Sequence, residues 1–259
     1  MFYGLSTIYS VFLWRKGFRR DDWVNYLLIA GGVALHTLAM TKRGLTLQSC
    51  PVNNLYEATT FLLWALGLAS LVYSLLPRFK FLAAFTAPVL FTIGVFALMP
   101  SLDPPHGPKP EFSGALRSLH AATSLQAYGA FGLAAVAAGM LLMQRHDLKF
   151  NKLRAMLSLL PSMQRLELIT FRLVAAGFGL LTIGLIAGQQ LPRPEGKPYF
   201  SDTKVIWSAL LWLVYLESLM AYKFFGRSSR RFALVTIIAF AVLLLTFWIT
   251  NLNSPMHQP

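Results

Sequence analysis

Eight apolar runs separated by short, charge-bearing connections constrain this chain more than any other feature of its sequence. They lie at 1–14, 23–40, 55–76, 81–99, 116–143, 168–189, 204–222 and 232–251. A helix of roughly 20 apolar residues crosses the ~30 Å hydrocarbon core of a bilayer. Inside that core every backbone polar group must be satisfied within the segment, which leaves helices as the form such runs adopt. Composition agrees: 56% of residues are hydrophobic and 13% charged, about half the ~25% charge of soluble domains. The reading is an all-α, polytopic membrane helix bundle, a single transmembrane domain over 1–259. The first run is short and is read as an uncleaved helix, since no basic segment precedes it and no small-residue cleavage site follows.

The net charge of +13 invites a nucleic-acid reading, which the placement of the charge excludes. Fifteen of the 23 basic residues fall in the connections 15–22, 77–80, 144–167 and 223–231, all on one side of the membrane if eight runs cross it. The positive-inside rule makes that side cytoplasmic and puts both termini on the outer side. Basic charge is therefore topology, with membrane lipids and not nucleic acid as its partners. Within 144–167, Leu153, Met156, Leu157, Leu159 and Leu160 among basic residues suggest an interfacial amphipathic helix ended by Pro161. The outer segment 100–114 holds Pro100, Pro104, Pro105, Pro108 and Pro110 and is expected to be irregular.

Ionisable groups at membrane depth cost at least ~2.5 kcal/mol each near the bilayer centre, so each needs a partner or a task. His36 lies about 13 residues into the second run, ~20 Å along a helix. A neutral imidazole bonded to a neighbouring helix and an axial ligand to haem iron are both open there. His120, in Ser118-Leu119-His120-Ala121-Ala122, and His257, in Asn253-Ser254-Pro255-Met256-His257, fall at the outer ends of the fifth and eighth runs. Two neutral imidazoles on opposite sides of a flat cavity can complete the octahedron of a porphyrin iron. His106 and His146 read as solvated bystanders. Glu57 opens the third run, where it caps the helix or reaches a cation. Arg172 and Glu217, on consecutive antiparallel runs, are candidates for a structural ion pair. Asp202 and Lys204 mark the start of the seventh run, and the small residues of the sixth run, with Gly188, suit close helix packing.

No nucleotide-binding glycine loop, paired zinc histidines or serine nucleophile elbow is present. Cys50 is the one cysteine and cannot form a CxxC redox pair. No internal repeat of fixed period marks an inverted-repeat transporter.

Several stretches together resemble one family. Pro51-Val52-Asn53-Asn54-Leu55-Tyr56-Glu57-Ala58 with Phe61 and Trp64 is similar to a P-x-S-N-L-Y-E-S…F…W segment of the CcsA-type cytochrome c assembly proteins. Phe171-Arg172 and Gly177-Phe178-Gly179-Leu180-Leu181-Thr182-Ile183-Gly184 through Gly188 resemble that family's Y-R…G-F-x-L-L-T-I-G-x-x-S-G helix. Asp202-Thr203-Lys204 with Trp207 and Trp212, Leu119-His120 with Tyr128, and Asn251-Leu252…Met256-His257 follow in register. The resemblance implies a bacterial inner-membrane protein that binds haem on the outer face, with His120 and His257 as axial ligands and His36 as the family's intramembrane histidine. It implies haem and apocytochrome c, with a membrane partner of cytochrome c assembly, as its contacts. Outer cations such as Arg117 or Lys204 would meet the propionates.

The family's tryptophan-rich motif is replaced here by Glu195-Gly196-Lys197-Pro198-Tyr199-Phe200-Ser201-Asp202, leaving Asp202 with Tyr199 and Phe200 as aromatic substitutes. Its second intramembrane histidine is Met220 here, a weak thioether ligand or simple packing. This pattern resembles that of the shorter HemX-like or YpjD-like subfamily. It implies haem handling or presentation in cytochrome c assembly, or, alternatively, control of tetrapyrrole synthesis through a cytoplasmic contact. No catalytic residue and no synthase activity is assigned.

Overall fold

The computed structural model describes residues 1–16, 22–47, 54–75, 82–99, 115–150, 162–191, 202–226 and 228–253. These form α1 (Phe2–Lys16), α2 (Asp22–Leu47), α3 (Leu55–Ser74), α4 (Leu82–Ala97), α5 (Ala115–Phe150), α6 (Met163–Gln189), α7 (Thr203–Phe224) and α8 (Ser229–Asn253). The eight apolar runs thus become eight helices, and the described residues contain no strand. Six of them (α2, α3, α5, α6, α7 and α8) are long and apolar enough to cross a membrane, while α1 and α4 are shorter apolar helices. The chain is an integral membrane protein.

The helices overrun the apolar runs where polar residues can reach the interface. α2 continues seven residues past Met40, so Lys42 and Arg43 sit on its last turns and not in a loop. α5 carries 144–150, and α6 starts at Met163. The part of the expected amphipathic helix between 151 and 161 lies outside the described residues, as does the proline-rich segment 100–114.

Local chemistry explains why an apolar chain tolerates its hydroxyls. Thr37, Thr86, Thr170, Thr182, Thr236 and Thr246 each donate to the carbonyl four residues earlier, at 2.7–2.9 Å. That bond hides the donor inside the helix where no water could take it. At the start of α3, Asn54 accepts from the Glu57 N–H at 2.8 Å, and at the start of α7 Asp202 accepts from the Lys204 N–H at 2.7 Å. Both satisfy first-turn donors that have no intrahelical partner.

α5 is the hub of the packing. It lies along α6 over most of its length and also touches α3, α4 and α8, while α1, α2, α3 and α4 pack among themselves and α7 joins α6 to α8. Small residues set these distances. A Cβ on Gly129 would stand 2.9 Å from the Ala65 backbone, so α5 meets α3 almost backbone to backbone there. Phe131 of α5 stacks on Tyr215 of α7, centroids 3.8 Å apart and 3° from parallel, and both rings are fully buried. Asn25 of α2 ties the other helices at the opposite end of the bundle. It bonds Ser6 and Ser10 of α1, and with its amide oxygen toward α4 it accepts from the Ala84 N–H at 3.1 Å.

Candidate functional site at the His120 end

The starts of α3, α5 and α7 and the ends of α2, α6 and α8 gather at one end of the bundle, and the candidate residues from the sequence fall on these segments. His120, half-buried on the second turn of α5, holds its Nδ1 2.7 Å from the carbonyl oxygen of Gly184 on α6. A carbonyl only accepts, so Nδ1 carries the proton and donates. The neutral ring therefore keeps its lone pair on Nε2, the tautomer of a metal-ligating histidine whose other nitrogen is held by a backbone carbonyl.

Below His120, a small cavity of about 10 Å³ is lined by Tyr128, Lys204, Trp207, Ser208, Thr246 and Phe247 among others. Tyr128 bonds Ser208 and lies edge-on to Phe247 of α8 with centroids 5.8 Å apart. Lys204 stands with its Nζ 5.8 Å from the Phe247 ring centre and acts electrostatically on both His120 and Asp202. Asp202 is 1% exposed and serves as the N-cap of α7. The starts of α5 and α7 and the end of α8 thus meet around one cationic, aromatic cleft. A cavity of this size holds about one water, against ~300–1,000 Å³ for a small-molecule site.

Glu57 is fully buried and accepts from Arg43 Nε at 2.6 Å. The same guanidinium lies 5.0 Å from the Tyr56 ring centre. Of the two sequence expectations, capping and reaching a cation, Asn54 does the capping and Glu57 reaches the cation. Sequence reasoning did not single out Arg43, which lies beyond the end of the second apolar run; its position fourteen residues before Glu57 was the available signal.

His36 is half-buried on α2 and lies edge-on to Tyr3 of α1, centroids 6.5 Å apart. Its neighbour Thr37 accepts the Trp64 indole N–H at 2.8 Å. Arg172 and Glu217 are the candidate ion pair read from the sequence. Arg172 is exposed on α6 and acts on Tyr73 of α3, while Glu217 lines a groove with Arg231 at the turn between α7 and α8. Met220 is 44% exposed on the outer surface of α7, so it packs outward. His257, Tyr199, His106 and Cys50 lie outside the described residues, as do the side chains of Arg117 and His146.

Residues 52–257 match the family described as Cytochrome C assembly protein. The chain belongs to that family. Among its relatives, Protein HemX of Bacillus subtilis (strain 168) is 25% identical over 260 residues, covering 98% of this chain and 93% of HemX. Cytochrome c biogenesis protein CcsA of Thermosynechococcus vestitus is 28% identical over 242 residues, covering 78% of this chain and 76% of the relative. The CcsA of Microcystis aeruginosa is 27% identical over 274 residues, covering 85% and 83%. The matched region takes in, but for Pro51, the stretches on which the sequence resemblance rested, with His120 and Gly184 inside it.

Proposed function

We propose that this protein acts in cytochrome c biogenesis by holding haem at the His120 end of the bundle, with His120 and His257 as opposed axial ligands. The observation that carries the reading is the Nδ1–H of His120 donating to the Gly184 carbonyl, because it leaves Nε2 free to bind iron. Chain geometry supports the second ligand. Tyr128 and Phe247 are in contact; His120 lies ~12 Å further along α5 and the end of α8 ~9 Å beyond Phe247, at 1.5 Å per residue. The helix that leads to His257 therefore ends near the level of His120.

The residues present fit a haem anchored from below. His120 orients one axial nitrogen, Lys204 offers a cation to a propionate, and Trp207 and Phe247 give apolar surface to a ring edge. Tyr199 and Asp202 would contribute at the rim, and Glu57 would hold Arg43 at the mouth. Haem, when bound, supplies the iron chemistry; the chain binds, orients and shields it. His36 with Tyr3 is a second, intramembrane position of the same reading. Thioether formation needs paired cysteines on an apocytochrome, so the role is to handle or present haem to such a partner. The basic connections support a reading in which the opposite end faces the cytoplasm of a bacterium and the haem site lies outside its inner membrane, with both termini on the outer side.

A second reading rests on the HemX alignment, which spans nearly the whole chain where the CcsA alignments span less. In it the protein regulates tetrapyrrole synthesis through its cytoplasmic basic segment 144–167. Replacing the native gene with one encoding His120→Ala and His257→Ala separates the two. Loss of haem-stained c-type cytochromes at unchanged aminolevulinate levels supports assembly. Normal c-type cytochromes with altered aminolevulinate levels support regulation and overturn the first reading.

A further inference from the structure

The Nδ1 bond of His120 depends on how closely α6 approaches α5. A helix carbonyl lies along its own axis and already accepts from the N–H four residues on. A side chain from a neighbouring helix reaches its second lone pair only where the two backbones are unusually near. At Gly184 they are. A Cβ there would lie 2.5 Å from Ser124 Oγ, 3.2 Å from Thr123 Oγ1 and 3.3 Å from the Ser124 backbone nitrogen. The Ser124 side chain, at 2.5 Å, is the obstacle, and the two contacts beyond 3.0 Å need only a few tenths of an ångström, so a side chain at 184 pushes α6 away from α5 as long as Ser124 stands opposite it. Seven residues earlier the seam is tight again: a Cβ on Gly177 would meet the Phe131 ring at 2.7 Å and the Ala127 carbonyl oxygen at 3.2 Å.

We infer that Gly184 is the positioning residue of His120: its missing side chain brings the Gly184 carbonyl against Nδ1 and so fixes which imidazole nitrogen faces a ligand. Ser124 is the opposing surface that makes glycine necessary. The role in haem ligation rests on the functional reading above, whereas the control of the imidazole tautomer does not.

The test uses the purified full-length chain with its histidines labelled with ¹⁵N, first stripped of haem and then reconstituted. In the wild type the His120 signal should be that of an Nδ1–H ring with a bare Nε2. Gly184→Ala should convert it to a mixture of tautomers and raise the haem dissociation rate by about tenfold, in the 10–100-fold range of lost outer-shell partners. Moving the gap to the other helix, in Gly184→Ala with Ser124→Gly, should restore both readouts. Gly177→Ala loosens the same seam without touching His120, so it should lower the melting temperature and leave the tautomer unchanged. A Gly184→Ala protein with the wild-type tautomer, or a Gly177→Ala protein that shifts it equally, overturns the inference. If Gly184→Ala does not fold, the double variant decides: a folded protein without the Nδ1–H signal overturns it as well. A wild type that shows the tautomer but binds no haem contradicts the functional reading and leaves the positioning role standing.

Discussion

Trp212 donates its indole N–H to Thr182 Oγ1 at 2.8 Å, and that hydroxyl passes the bond on to the Phe178 carbonyl at 2.8 Å. The relay fastens α7 to α6 two residues from Gly184. The same chemistry joins α2 to α3, where Trp64 donates to Thr37 and Thr37 to Val33, each at 2.8 Å. In both pairs an indole, whose N–H must find an acceptor in a membrane interior, uses a hydroxyl already tied to its own helix.

Thr182→Val keeps the shape and removes the acceptor. Interhelical hydrogen bonds in membranes average ~0.6 kcal/mol and reach ~1.7 kcal/mol, so the variant should lie within that range of destabilisation. Thr37→Val, at a more exposed contact, should cost less. Thermal unfolding of both variants in detergent checks the order; equal or reversed losses would contradict it.

The Arg43–Glu57 pair should respond unequally to the loss of either partner. Glu57 is 0% exposed and the Arg43 side chain 27%. Glu57→Gln leaves a guanidinium that can turn toward headgroups and water, whereas Arg43→Met takes the counter-charge from a carboxylate with no exit. Breaking a buried pair costs ~3–5 kcal/mol; partial exposure discounts that figure on the Arg43 side. Arg43→Met should therefore lower the melting temperature more than Glu57→Gln, and the same assay reads it.

Tyr215 carries a hydroxyl that is buried without a hydrogen-bond partner among the described residues, in a ring stacked on Phe131. An unsatisfied buried polar group costs ~1–3 kcal/mol. Tyr215→Phe keeps the stack and removes that cost, so it should be neutral or stabilising. Phe131→Ala opens a hole at the hub helix and should cost ~3–5 kcal/mol. A marked loss on Tyr215→Phe would mean that the hydroxyl has work of its own.

Much of the fold is legible because hydropathy acts over whole segments: each of the eight runs became a helix, and the small residues of the sixth run do set a close seam. The ends are less legible. α2 runs seven residues past its apolar stretch because Lys42 and Arg43 tolerate an interface that a hydropathy window treats as its boundary, and that extension is what delivers Arg43 to Glu57. The partner of His120 was out of reach for a different reason. It is a backbone carbonyl, which every residue has, and only the packing of α6 on α5 singles out the one at 184.

The most direct test of the account is the absorption spectrum of the full-length protein purified from a haem-replete bacterium, oxidised and dithionite-reduced, beside His120→Ala and His257→Ala. The account predicts a Soret band with sharp reduced α and β bands of a bis-imidazole haem in the wild type, weakened or lost in each variant. A wild-type protein without a Soret band, or one whose spectrum neither substitution alters, would contradict it.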